Sequence, residues 1–301
     1  IKQWIYAGNT EFNEQLHARN LQAFGKKTVA ILSQMRIGVI GCSGTGSIVI
    51  EQLKRLGAGE LVLIDPDTID VVNLNRIIGS TLDDATSSVL KTEVMAREIQ
   101  KVGFGTKVIK FDTDVTTRAT VKMLAQCDVL FGCVDSAEGR HMADLISSFY
   151  LLPLFDLGVR LQADGEGGIT DIFGTVHYVQ PGGSSLFSRG VYNLEQVRAD
   201  GSRRVNKEEA AKDRYLLAAN ESSPAVISVN MQVASTSVND FLARIHPYRR
   251  VKNAEIDSIR ISLADALSYP DRYPDPCAYI SRYVGRGDME PLLNHTELNE
   301  L

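Results

Sequence analysis

The chain has 301 residues, 44% hydrophobic and 23% charged, the balance of a soluble globular protein with room for a sizeable core. Its net charge of −5 argues against non-specific nucleic-acid binding, and no apolar run reaches the roughly 18 residues of a membrane span. The start of the chain lacks the charged-then-apolar pattern of a secretion signal. Ile1 is not an initiator, so further residues are expected upstream. Cys42, Cys127, Cys133 and Cys277 include no Cys-x-x-Cys pair and read as reduced thiols of a cytoplasmic protein.

Residues 11–35 read as one or two helices, with Leu16, Leu21, Phe24, Val29, Ile31 and Leu32 on one face. Arg19 within them is, taken alone, a solvated helix arginine. An apolar run over 36–40, the glycines Gly41, Gly44 and Gly46, and an amphipathic stretch over 47–56 then spell strand, tight turn and helix. A second apolar run, 61–64, ends on Asp65. In such a unit the turn lies beneath a phosphate chain, because the first N–H groups of the helix are free donors and its dipole favours an anion. Asp65 stands where an acidic residue can take the hydroxyls of a ribose. With Ser43 in the middle place, the spacing suits a nicotinamide dinucleotide imperfectly and ATP equally well.

The aspartate-rich stretch after Asp65 reads as a loop at the carboxyl end of its strand, where open α/β sheets bind ligands. Asn73 and Arg76 fall three apart, on one side of a helical turn. Lys91 opens a helix over 91–102. These three groups near a glycine cradle suit a polyphosphate better than a nicotinamide ring. A strand over 107–111, a helix from Val115 to 125 and a buried strand over 127–134 follow, the last ending on Asp135. An aspartate there is a natural magnesium ligand, or an N-cap for the helix over 137–150; the two roles are compatible.

One more parallel strand over 151–156 precedes alternating, β-rich sequence over 172–179, where the sheet turns antiparallel. Residues 189–221 read as a long polar loop or lid with some helix, and 224–242 as a helix rich in small and apolar residues. From His246 the chain is polar and tyrosine-rich, with one alternating run at 259–263.

The ordered series Gly41-x-x-Gly44-x-Gly46, Asp65-x-Asp67, Asn73-Leu74-x-Arg76, Lys91 and Asp135 resembles the ThiF/MoeB/HesA family of ubiquitin-activating-enzyme-like adenylyltransferases. The resemblance is clear over about residues 16–180. It implies an α/β, Rossmann-like, doubly wound mixed sheet, parallel in its N-terminal half and antiparallel in its C-terminal half, in a homodimer. The implied organisation is a helical segment 1–35, an adenylation domain 36–245 with a crossover loop at about 186–223, and a C-terminal appendage 246–301. The implied activity is activation of the C-terminal glycine carboxylate of a ubiquitin-like or sulfur-carrier protein with ATP and Mg2+, releasing pyrophosphate. By position, Gly41, Ser43, Gly44 and Gly46 would line the phosphates, and Asp65 would hold the ribose. Asp67 and Asn73 would shape the phosphate site, and Val115 would join them as a nucleotide contact. Arg76 and Lys91 would hold the phosphates, and Asp135 the magnesium. Arg19, in Arg19-x-x-x-x-Phe24-Gly25, is similar to the family arginine that reaches the γ-phosphate of the neighbouring subunit.

Two departures stand out. Where many family members carry the first Cys-x-x-Cys pair of a structural zinc, this chain has Ser185-Leu186-Phe187-Ser188, and the second pair would retain only Cys277. No zinc is expected, since hydroxyls do not replace thiolates. Residues 186–223 also lack the cysteine with which some members form a thioester. The reaction then stops at the adenylate for a downstream thiol carrier, or the thiol lies elsewhere; Cys277 is the one cysteine expected in an exposed loop. A Ser184, Ser185 or Ser188 standing for a cysteine is a further possibility. Against an adenylyltransferase stand an NAD-linked oxidoreductase, which leaves Arg76, Lys91 and Asp135 without work, and a non-catalytic member partnering an active enzyme. A peptide, another carboxylate or a tRNA base remains open as the acceptor.

Overall fold

The computed structural model describes residues 13–164, 166–205 and 226–298. Among these, eight strands form one sheet in the order β3-β2-β1-β4-β5-β6-β7-β8. The strands are β1 (Arg36–Ile40), β2 (Glu60–Ile64), β3 (Lys107–Phe111), β4 (Val129–Gly132), β5 (Leu154–Ala163), β6 (Ile169–Val179), β7 (Ser258–Ser262) and β8 (Leu267–Asp271). The pairings from β3 through β5 are parallel and those from β5 through β8 antiparallel. Strand order reverses between β1 and β4, where Ile40 lies level with Gly132.

Parallel strands buried on both faces read as continuous apolar runs, and β2 is buried along its whole length. The helices are α1 (Glu14–Gln34), α2 (Gly44–Leu56), α3 (Leu82–Thr86), α4 (Lys91–Val102), α5 (Arg118–Leu124), α6 (Ala137–Tyr150), α7 (Leu194–Val205) and α8 (Ile227–Ile245). α1 breaks at Gly25, whose φ of +73° no helix accommodates. One core joins α2, α4 and α8 to the sheet, with Phe131 stacked on Phe155 at 5.2 Å and edge-on to Phe241 at 5.7 Å. The opposite core holds α5, α6 and the chain's last turns around Phe149, Leu292 and Leu293.

Several boundaries differ from expectation for local reasons. α2 starts at Gly44 rather than residue 47, because the turn glycines themselves form its first turn. α5 starts at Arg118 rather than Val115, since the Thr117 hydroxyl accepts the Thr120 N–H as N-cap. The helix expected over 224–242 runs Ile227–Ile245. β5 continues beyond 156 and pairs with β6 as a long hairpin. β7 and β8, from the stretch expected as an appendage, extend the same sheet; β8 escaped notice because it is an exposed edge with Pro270 in it. α7 supplies the helix expected within the polar 189–221 stretch, and residues 206–225 lie outside the described residues.

The loop from Asp65 to Lys91 is held by an ion pair between a buried carboxylate and a half-exposed arginine. Arg97 of α4 clamps both carboxylate oxygens of Asp84 at 2.7 and 2.8 Å and donates to the Gly79 carbonyl at 3.0 Å. The Asp84 carboxylate, bonded also by Thr81, is thereby held well below the usual carboxylate range. Such a depressed group stabilises the fold fully above its unfolded pKa, near 4, and that contribution is lost on acidification. Asp84→Asn should cost about 2 kcal/mol, read as a lower denaturation midpoint at pH 7, with the difference from the parent shrinking below about pH 4.

Candidate nucleotide site

At the end of β1 the chain turns on Gly41, at φ +93°, where a Cβ would lie 2.7 Å from the Cys133 carbonyl oxygen. The Gly41 N–H is held by the Ile64 carbonyl at 2.8 Å. Gly46 packs so closely behind it that a Cβ there would meet the Gly41 carbonyl oxygen at 1.9 Å. The turn can therefore be tight only because both positions lack side chains. Ser43 is the N-cap residue of α2, yet its hydroxyl makes no capping bond. The first N–H groups of a 13-residue helix thus open at the carboxyl edge of the sheet, a ready anion site.

Asp65, one residue past β2 and 5% exposed, braces this turn from the side. Its carboxylate accepts the Cys42 N–H at 2.7 Å and the Asp67 N–H at 2.9 Å. Burial pushes its carboxyl above the ordinary carboxylate value, against the pull of Lys91 and of these two N–H groups. Lys91 is buried as well; its Nζ lies 2.7 Å from the exposed Asp67 carboxylate and 3.9 Å from Asp65. The chain returns from Asp67 to Lys91, 24 positions on, because Thr68 and Leu90 form a β-bridge and the Lys91 N–H bonds the Asp67 carbonyl at 2.9 Å. Asp65, Asp67 and Lys91, scattered in sequence, are one cluster beside the turn.

Asn73 and Arg76 sit on the short helical turn at Val71–Asn73 and just after it. Asn73 is buried, and its carboxamide oxygen accepts the Asp70 N–H at 3.1 Å, closing a reciprocal cap with the Asp70 carboxylate. It shapes the loop through the backbone. Arg76 donates to the Val72 carbonyl at 2.7 Å and to Asn75 at 3.1 Å. Its Cδ lies 3.3 Å from where a Gly44 Cβ would be, so its stem covers the first residue of α2.

Asp135 follows β4 at the same edge and is exposed. It is not the N-cap of α6: Ser136 takes that role, its hydroxyl accepting the Gly139 N–H at 3.2 Å. Magnesium keeps several waters and bridges phosphates, so it needs only one or two carboxylates, which a free-standing Asp135 fits. Val115 is buried beyond β3. Arg19 is exposed on α1, bonded to Gln22 at 2.9 Å.

The cysteine expected in an exposed loop is not exposed. Cys277 is 2% accessible, because its N–H is fixed by the Gly183 carbonyl at 3.0 Å and its Sγ accepts the Ile280 N–H. All four cysteines are buried, and burial pushes the Cys42, Cys127 and Cys133 thiols up. Ser185 and Ser188 bond each other, each hydroxyl accepting the other's N–H at 3.2 and 3.0 Å. Among the described residues no group of three or more His, Cys, Asp or Glu is placed to hold a metal ion.

Two contributors escaped the sequence reading. Asp200 of α7 caps α6 from a distant part of the same chain, its carboxylate accepting the Ala137 N–H at 2.7 Å and the Glu138 N–H at 3.3 Å. Asn230 of α8 is 4% exposed, with its amide 2.4 Å from a Gly44 Cβ position. An asparagine among the small and apolar residues of 224–242 was the available signal.

Comparison with known proteins points to one family. The ubiquitin-like modifier-activating enzyme 5 of Culex quinquefasciatus is 25% identical over 169 residues, 52% of this chain and 40% of that protein. That of Drosophila ananassae is 28% identical over 164 residues, 50% and 39% respectively. The chain thus spans about two fifths of the length of these curated relatives. Among solved structures, E. coli MccB with ATP aligns at a TM-score of 0.66 with 18% identity, covering 90% of this chain and 75% of that one. PaaA aligns at 0.64 with 15% identity, covering 91% and 78%. At these identities the likeness is one of fold. The family model for ThiF matches residues 17–255, which take in every residue of the cluster, and the chain belongs to the ThiF family.

Proposed function

We propose that the chain is an ATP-dependent adenylyltransferase that activates a carboxylate as an acyl adenylate. The observation that carries this reading is the buried Lys91, held by Asp65 and Asp67 beside an uncapped glycine turn. A carboxylate oxygen attacks the α-phosphorus, a P–O bond forms, the bond to the β-phosphate breaks, and pyrophosphate leaves with the electron pair. Two anions meet in this step, so catalysis is chiefly charge neutralisation and in-line alignment. No general base is needed, since the nucleophile is already ionised at neutral pH. In this reading the α2 N–H groups, Ser43, Arg76 and Lys91 hold the phosphates, Asp65 accepts ribose hydroxyls, and Asp67 and Asn73 keep Lys91 and Arg76 in place. Val115 contacts the nucleotide, and Asp135 holds a magnesium ion, which would supply further charge neutralisation on the phosphates. A homodimer would bring Arg19 to the γ-phosphate of the neighbouring subunit.

The substrate favoured is the C-terminal glycine of a ubiquitin-like protein, on the likeness to the activating enzymes 5. A peptide is the second reading, since MccB structures that align over about nine tenths of this chain hold the peptide MccA. With all four cysteines buried, the adenylate would pass to a nucleophile other than these thiols.

ATP–pyrophosphate exchange with each carboxylate class tests the proposal. Arg76→Ala and Lys91→Ala should each slow it by roughly 10²–10³-fold, the scale of losing one preorganised charge. Unchanged exchange in both would refute the assignment. Asp135→Ala should lose activity that added magnesium partly restores. For Arg19, mixing Arg19→Ala with Lys91→Ala protein should regain activity, because one shared site then carries both groups; no recovery would remove the contribution in trans.

A further inference from the structure

The carboxyl edge of the sheet carries a second helix start beside the first. α8 is 19 residues long, and its N-cap, Val226, offers no side-chain cap; the Val229 N–H turns back to the Val226 carbonyl at 3.1 Å, which leaves the Ile227 and Ser228 N–H groups without an acceptor inside the helix. The two helices pack along each other, and their starts meet where Asn230, on the first turn of α8, lies against Gly44. There the Asn230 amide lies 2.4 Å, and the Arg76 Cδ 3.3 Å, from the point a Gly44 Cβ would occupy.

Asn230 is only 4% exposed, yet its carboxamide makes no hydrogen bond among the described residues. Asp240, farther along the same helix, is bonded by Arg244 and Arg249. Its polar atoms are not among the fully enclosed, unpartnered ones, so the amide keeps an opening at the two converging helix starts through which an acceptor from outside the chain can reach it. The chemistry of the place selects it: two positive dipole ends, the Arg76 stem, and an amide that donates two hydrogen bonds.

We infer that Asn230 is a phosphate-binding residue, its amide donating to a phosphate oxygen of the nucleotide from the α8 side of the glycine turn. This rests on the reading of the site as an ATP site and adds to it a contact from beyond the crossover segment. The same contact accounts for glycine at position 44, since any side chain there would displace the amide.

Three probes of the intact protein separate the possibilities: MgATP, inorganic pyrophosphate and adenosine, each titrated by thermal shift, with the KM for ATP and kcat of exchange alongside. Asn230→Ala should weaken MgATP and pyrophosphate about tenfold, and Asn230→Asp, nearly isosteric but acceptor-only and anionic, about a hundredfold. Adenosine affinity should stay unchanged, and the loss should fall on KM more than on kcat. A merely structural role would lower all three affinities together. Should Asn230→Asp fail to fold, Asn230→Ala and Asn230→Ser give the same readout, the serine recovering part of the loss through its hydroxyl. A parent protein that responds to MgATP and pyrophosphate, with variants that respond equally, overturns this inference alone. A parent protein indifferent to both overturns the ATP reading and this with it.

Discussion

A single buried carboxylate organises the site. Asp65 accepts the backbone N–H of Cys42 in the phosphate turn and that of Asp67 in the next loop, and lies 3.9 Å from the ammonium of Lys91. It therefore joins the phosphate turn to the start of α4, which the chain separates by α2, β2 and α3. Burial works against its charge, and Lys91 with the two N–H groups works for it. Removing Lys91 would leave two carboxylates facing each other with their shared cation gone, so the lysine serves the empty site as well as an occupied one.

Much of this was legible in the sequence because it obeys short-range rules. The run 36–40 and the glycines at 41, 44 and 46 specify strand, turn and helix, and the structure shows the steric reason in the 1.9 Å approach of a Gly46 Cβ to the Gly41 carbonyl oxygen. Lys91 opening a helix and Asp65 closing a strand are equally local facts. What stayed hidden depended on tertiary contact. No spacing rule brings Asn230 to Gly44 or Asp200 to the start of α6. Cys277 sits beside a proline in polar sequence, and only the pairing of its backbone with Gly183 explains its burial. β8 lacked the apolar alternation of a core strand because it is an edge with most of its residues in water.

The sheet divides its labour along the same line. Its parallel half, sealed between helices on both faces, presents the carboxyl ends of β1, β2 and β4 to one place. Its antiparallel half extends outward as the hairpin of β5 and β6, with β7 and β8 alongside. Asp156, entirely buried on β5 opposite His177, marks the seam: its carboxyl is pushed up by burial and only partly countered by Arg140 at 3.4 Å.

The β-bridge between Thr68 and Leu90 closes a 21-residue excursion at its neck. A loop pinned at its base is insensitive to what happens at its tip, because the entropy of closure grows only slowly with length. Side-chain changes at the exposed Asp83 and Ser87 would leave the spacing of Asp67 and Lys91 untouched, as long as Asp84 between them keeps its bonds to Arg97. The neck thus uncouples the part of the excursion that surrounds can reshape from the two charges whose separation chemistry fixes.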